Sequence, residues 1–226
     1  MATKNINDVC VLVQARMGSQ RVPGKMLRSF AETTLTDILF EKLSNSSIIP
    51  KSNIYFSAYE NELKEVGKKY GINIFNRSKN SAFAETDMQL IYEWHDKLPF
   101  KYVVLVSACN PLLTIETIDA FIKSFVESDK QGAFAVFEKK TYYWNKDGQA
   151  ITDWQGANIM NTKFVEPIYE AAHCLYASRL DIIKNGYWMD TVSPPAPELF
   201  VMKELEAFDI DYEWQFQLGE YLYKRL

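Results

Sequence analysis

The sequence predicts an α/β fold, a doubly wound and mainly parallel sheet that carries a small antiparallel accessory lobe. Three observations predict it. Short apolar runs rich in β-branched residues, VCVLV at 9–13 and YVVLV at 102–106, lack polar alternation, as strands covered on both faces require. These runs alternate with segments whose apolar residues recur at spacings of three and four, the helical period. From about residue 139 the alternation gives way to aromatic, turn-forming and β-prone residues.

The elements follow in order. Val9 to Val13 is an inner strand, and TLTDILFEKL predicts a helix over 35–43 with Thr34 or Thr36 as its cap. NIYFSA at 53–58 reads as a second strand, 60–70 as a polar helix stopped by Gly71, and INIF as a short third strand. Residues 82–94 read as one helix, and KYVVLVSA from Lys101 is the clearest buried strand. Asn110, Pro111 and Leu112 end it; TIETIDAFIKSFVES then starts a helix in the Thr114 to Thr117 region, and GAFAVF opens a strand at Gly132.

Within the accessory subregion, about 139–191, Asp147 and Gly148 suit a hairpin turn, AAHCLYA a strand, and SRLDIIKNG a short helix closed by Gly186. SPPAP at 193–197 is a stiff exposed connection, ELFVMKEL returns the chain to the sheet, and a short strand through Ile210 precedes a terminal helix. All 226 residues read as a single domain without internal repeats.

At 47% hydrophobic and 24% charged residues, the chain has the balance of a compact globular protein. Its net charge of −4 counts against a general nucleic-acid binder, which needs a basic face to displace counterions. A local basic loop can still hold a small phosphorylated ligand. The absence of a membrane-length apolar window or a signal-peptide pattern makes a cytoplasmic location, with no membrane partner, the expectation. Cys10, Cys109 and Cys174 are widely separated and odd in number, so they read as small buried hydrophobes rather than a disulfide framework or zinc site.

The segment QARMGSQRVPGK, 14–25, places three permanent cations around two glycines and a serine directly after the first strand. In the stretch from Ala15 to Lys25, Gly18 and Gly24 permit tight backbone paths, Ser19 offers a hydroxyl, and Arg16, Arg21 and Lys25 supply charged donors. Such a loop can cradle phosphate; a solvated basic turn packed on an acidic surface is the alternative. It matches neither the GxxxxGK phosphate loop nor the GxGxxG dinucleotide fingerprint. Near the other end, Asp209 and Asp211 are two apart, so on a strand they share a face. Two such carboxylates make a reasonable Mg²⁺ site; a solvated strand end with a helix cap at Asp211 is the other reading.

QARMGSQRVPGKML closely resembles the opening signature of the cytidylyltransferases that activate acidic sugars of the sialic, or nonulosonic, type, and of the related spore-coat polysaccharide nucleotidyltransferases. That resemblance covers nearly the whole chain. It implies a Rossmann-like sheet of the nucleotide-diphospho-sugar transferase type, CTP as substrate, an acidic-sugar or phosphorylated acceptor, Mg²⁺, and a homodimer. It assigns the triphosphate to Arg16, Gly18, Ser19, Arg21 and Lys25, with Ala15 beside the nucleotide, and the metal to Asp209 and Asp211. Arg16, Arg21 and Lys25 become catalytic through charge compensation, and Asp211 becomes a candidate base.

NRSKNSAFAETD is similar to a family segment that brings an arginine and an aspartate near the nucleotide, here Arg77 and Asp87; a surface arginine and a helix cap are equal alternatives. VVLVSACNPLLTIETID resembles the family's strand and Pro-Leu turn, which makes Ser107 a candidate for ribose or base. Cys109 and Asn110 depart from the pattern there. NTKFVEPIYEAAHCLYASR resembles the acceptor and dimer region through Asn161, Thr162, Pro167, Tyr169 and Tyr176, while Lys163 and His173 depart from it. Trp144 and Trp154 could cover the acceptor or serve packing.

Overall fold

The computed structural model describes residues 4–152, 161–183 and 197–226. The chain begins with β1 (Val9–Gln14), α1 (Leu35–Ser44), β2 (Ile54–Ala58), α2 (Asn61–Lys69) and β3 (Asn73–Asn76). It continues through α3 (Lys79–Phe83), α4 (Met88–Ile91), β4 (Tyr102–Val106), α5 (Ile115–Glu127) and β5 (Gly132–Lys139). The last elements are β6 (Ile168–Arg179), α6 (Leu180–Ile183), β7 (Glu198–Val201) and α7 (Glu213–Tyr223).

The strands form one seven-stranded sheet in the order β3-β2-β1-β4-β6-β5-β7. The pairs β1–β2, β1–β4, β2–β3 and β5–β7 are parallel, and β6 runs antiparallel to both β4 and β5. The Rossmann-like expectation holds, with one difference: AAHCLYA, read as part of an accessory lobe, lies inside the main sheet. Its register against β5 shifts between Phe134 and Val136, and His173 takes a φ of 55° there, so the strand bulges beyond the end of its pairing with β4. The hairpin turn expected at Asp147 and Gly148 is present, bridging Trp144 and Ala150 with Gly148 at φ 78°.

Strand alternation sorts the core. Val9, Val11 and Val13 face a cluster containing Phe40, Leu43, Phe121 and Phe125, whereas Cys10 and Leu12 meet Trp94, Val103, Leu180 and Ile183. A third cluster joins the two chain ends: Val22 and Phe30 from the loop after β1 pack with Leu35, Ile38, Ile210 and Phe216. Phe30 meets Phe216 edge to face with ring centroids 5.2 Å apart. This cluster fixes the basic loop against the start of α7.

Two helix and strand expectations are corrected. The single helix over 82–94 is broken: Ala84 is extended, and the Asp87 carboxylate accepts the Gln89 and Leu90 amides to start α4. The strand through Ile210 does not form. A 3₁₀ turn, Glu204–Ala207, is followed by an irregular segment tied to the β4 end by Ile210 N–H donating to the Cys109 carbonyl at 3.0 Å. Thr34 and Thr114 cap α1 and α5, each accepting the amide three residues on. Gly186, Trp154 and residues 193–196 lie outside the described residues. Among those described, no helix is long and apolar enough to cross a membrane.

Candidate active site

A cleft of about 600 Å³ opens at the carboxyl ends of β1 and β4, the usual ligand position in an open parallel sheet. One wall is the loop after β1, contributing Arg16, Ser19, Arg21 and Lys25. The other is the connection between β3 and β4, contributing Arg77, Ala84, Glu85 and Ile91. Ala15, Cys109 and Asp211 also line it.

The loop is shaped by its own backbone. Gly24 has a φ of 66°, a region that side-chain-bearing residues rarely adopt, and its carbonyl accepts the Leu27 and Arg28 amides. Ser19 Oγ accepts the Val22 amide at 3.3 Å, and the Glu60 carboxylate accepts the Met17 amide at 3.1 Å. A Cβ built on Gly18 would meet nothing within 4 Å. Neither packing nor backbone conformation within the described residues therefore requires a glycine there.

The loop meets the carboxyl-terminal segment through charge. Arg21 Nη2 donates to Asp211 Oδ1 at 2.6 Å, and Lys25 Nζ lies 3.8 Å from the same oxygen. The Lys25 ammonium also donates to the Ile210 carbonyl, and the lysine is 8% exposed. Asp211 is not the helix cap: Gln215 Oε1 accepts the Asp211 and Tyr212 amides instead.

Asp209 stands behind this pair, outside the cleft lining. Its Oδ1 is buried and has no hydrogen-bond partner among the described residues. Burial, reinforced by the Asp211 charge, raises its carboxyl above the usual range. No cluster of three His, Cys, Asp or Glu side chains forms a metal cage among the described residues. Two carboxylates with one orphaned oxygen nevertheless fit a Mg²⁺ ion, which takes one or two protein carboxylates and completes its shell with phosphate oxygens and water.

On the opposite wall, Arg77 is buried and donates through Nε to Ser81 Oγ at 2.9 Å and through Nη2 to the Ser81 carbonyl at 2.8 Å. Burial, then the nearby Arg16, push its guanidinium down to about 10, still well above neutrality. Arg16 donates to the Ala82 carbonyl at 3.0 Å. Two cations are thus held close together beside the cleft, an arrangement that an anion would relieve. Burial raises the Cys109 thiol, which counts against thiolate chemistry.

The structure therefore brings Ala15, Arg16, Ser19, Arg21, Lys25, Arg77 and Asp211 to one cleft. Gly18, Asp87 and Ser107 are not part of its lining. Asp87 caps α4, and Ser107 turns the chain after β4, its N–H donating to the Cys174 carbonyl at 2.9 Å and its Oγ accepting the Cys109 amide at 3.1 Å. Gln14, Gln20 and Glu85, outside the candidate set that the sequence offers, also border the cleft. The signal for Gln14 was its position, the first polar residue after an apolar strand; Glu85 was hidden by the continuous helix expected through 82–94.

The sheet and cleft define an α/β protein with a candidate ligand cleft at the carboxyl end of mainly parallel strands. The chain belongs to the cytidylyltransferase family, whose sequence profile matches residues 10–184. It is 22% identical to a pseudaminic acid cytidylyltransferase of Campylobacter jejuni, with 97% of each chain covered. It is 26% identical to the CMP-N,N'-diacetyllegionaminic acid synthase of the same species, covering 95% of this chain and 94% of that one. In fold it is similar to a CMP:2-keto-3-deoxy-manno-octonic acid synthetase solved in complex with CTP, with a TM-score of 0.69 at 12% identity, covering 96% of this chain and 98% of that one.

Proposed function

We propose that this cytidylyltransferase transfers CMP from CTP to an acidic sugar of the nonulosonic type, or to a related small acceptor, and releases pyrophosphate in a Mg²⁺-dependent reaction. The observation that carries the reading is the joining of the two chain ends: Arg21 and Lys25 meet Asp211 at the mouth of a cleft large enough for a nucleotide. The relatives named for acidic sugars supply the acceptor class.

In this reading the acceptor oxygen attacks the α-phosphorus of CTP. A new phosphorus–oxygen bond forms, the bond to the β-phosphate bridging oxygen breaks, and pyrophosphate leaves with the electron pair. Arg16, Arg21 and Lys25 stabilise charge on the triphosphate, the Ser19 hydroxyl on the same wall can donate to it, and Arg77 fixes the opposite wall. Asp209 and Asp211 would hold the divalent ion, which when bound compensates phosphate charge. Of the two described carboxylates that line the cleft, Asp211 and Glu85, Asp211 is the one beside the loop cations, where it can receive a proton from an acceptor hydroxyl.

The proposal includes a cytoplasmic homodimer, with exposed Phe164, Ile168 and Tyr169 on its contact face. Light scattering at assay concentration that found a monomer would remove that part. For the reaction, each of CTP, UTP, ATP, GTP and dTTP is incubated with Mg²⁺ and a panel of acidic 2-keto sugars. Pyrophosphate release with a CMP-sugar product supports the reading; turnover confined to another nucleotide contradicts it.

A further inference from the structure

Gln14 is the last residue of β1 and falls on the strand face shared by Cys10 and Leu12, the face that meets Trp94. Trp94 is fully buried, and its Nε1 donates to Gln14 Oε1 at 2.7 Å. An indole N–H can only donate, so the carboxamide oxygen must be the atom that faces it. This removes the ambiguity that attends a glutamine amide and leaves the Nε2 group on the other side. The Gln14 side chain makes no other hydrogen bond among the described residues, is half-buried, and borders the cleft.

The two walls of the cleft differ in chemistry. The loop wall bears Ser19, Arg21 and Lys25 and suits phosphate; the opposite wall carries Arg77 and Glu85 but also Ala84 and Ile91, whose apolar surface suits the face of a base. Ile91 and Trp94 both belong to the connection between β3 and β4, so the fixed amide of Gln14 sits beside the wall that suits the base.

We propose that Gln14 is a specificity-determining residue for the nucleotide: its N–H₂ group, oriented by Trp94, donates a hydrogen bond to the pyrimidine edge at N3. In cytosine that nitrogen carries a lone pair; in uracil it carries a proton and would oppose another donor. The inference rests on the reading that this cleft takes CTP. Trp94 is then a positioning residue, because it acts on the base only through Gln14.

The test measures kcat/KM for CTP and UTP, with the acidic sugar held constant, in wild type, Gln14→Met, Gln14→Glu and Trp94→Phe. Met fills a similar volume without a donor, and the CTP-to-UTP ratio should fall by about 10-fold or more, as expected when a polar contact used for discrimination is removed. Glu presents only acceptors when ionised and should move preference toward UTP, whose N3 donates. Phe in place of Trp94 keeps an aromatic ring but loses the indole N–H and so frees the carboxamide to flip, and the ratio should fall without a matching change in acceptor KM.

A general loss of folding would lower both nucleotides together and leave their ratio in place, and the two Gln14 variants decide the matter if Trp94→Phe does not fold. An unchanged ratio in folded Gln14→Met and Gln14→Glu overturns the inference, as does an effect confined to acceptor KM. Wild type that failed to use CTP would instead overturn the functional reading beneath it.

Discussion

Arg21 and Asp211 are 190 positions apart in the chain and lie 2.6 Å apart in space. Both are substantially exposed, with side-chain accessibilities of 54% and 33%, so their pairing adds little to folding stability. It places a cation and a carboxylate where the cleft opens. Arg21→Ala should therefore leave the unfolding transition close to wild type while lowering kcat/KM for CTP on the order of 100-fold, the scale set by removing one transition-state donor. Calorimetry and initial rates on the same preparation check both halves; a large fall in the melting transition with activity retained would reverse the assignment.

Asp209 should behave differently. Its buried Oδ1 has no hydrogen-bond partner among the described residues, and burial beside the Asp211 charge disfavours its ionised form. Asp209→Asn should keep or slightly raise the melting temperature without added cation. Mg²⁺ with CTP should raise the wild-type melting temperature through binding and do so far less for the variant. Equal shifts in the two proteins would remove Asp209 from the metal site.

Gly18 tests whether the loop is shaped for a ligand. An alanine methyl there would meet no atom of the described residues within 4 Å, so Gly18→Ala should leave stability unchanged. If loop amides approach the triphosphate closely, the same methyl should raise the Kd for CTP by about 10-fold, on the order of one lost hydrogen bond. Titration calorimetry with CTP reads this directly; unchanged affinity would place Gly18 outside the phosphate contact.

Lys42 provides a pH signature distant from the carboxylates. Its ammonium donates to the Pro111 and Leu113 carbonyls at 2.6 and 2.7 Å, bracing α1 against the turn after β4. Burial lowers its pKa from 10.5 to about 8, against the opposing charges of Glu206 and Glu116. Between those two values the unfolded chain binds more protons than the folded one, so this residue makes stability rise with pH across that window. Lys42→Met should flatten the rise in denaturant midpoints measured from pH 8 to 10.5; an identical slope would show that Lys42 is not its source.

The parallel part of the fold was legible because β1 and β4 are buried on both faces and their residues are almost uniformly apolar. The position of β6 was not, because an antiparallel strand inserted between β4 and β5 is a matter of long-range pairing rather than local periodicity. The break at Ala84 to Asp87 was masked by helix-compatible residues, and only the Asp87 cap reveals it. In the site, the cations of 16–25 were readable from charge and glycine placement. The strand expected to align Asp209 and Asp211 is absent; Ile210, buried in the cluster with Val22 and Phe216, holds that segment instead. The Gln14–Trp94 bond joins residues 80 apart and had no local sign at all.

The most direct test of the central claim measures pyrophosphate released from CTP, together with the mass of the sugar product, in the presence of Mg²⁺ and an acidic 2-keto sugar. Wild type, Arg21→Ala and Asp211→Ala are compared after each is shown to be folded. The account predicts one pyrophosphate per CMP-sugar formed by wild type and a severe loss in both variants. Wild-type turnover in both folded variants would contradict it.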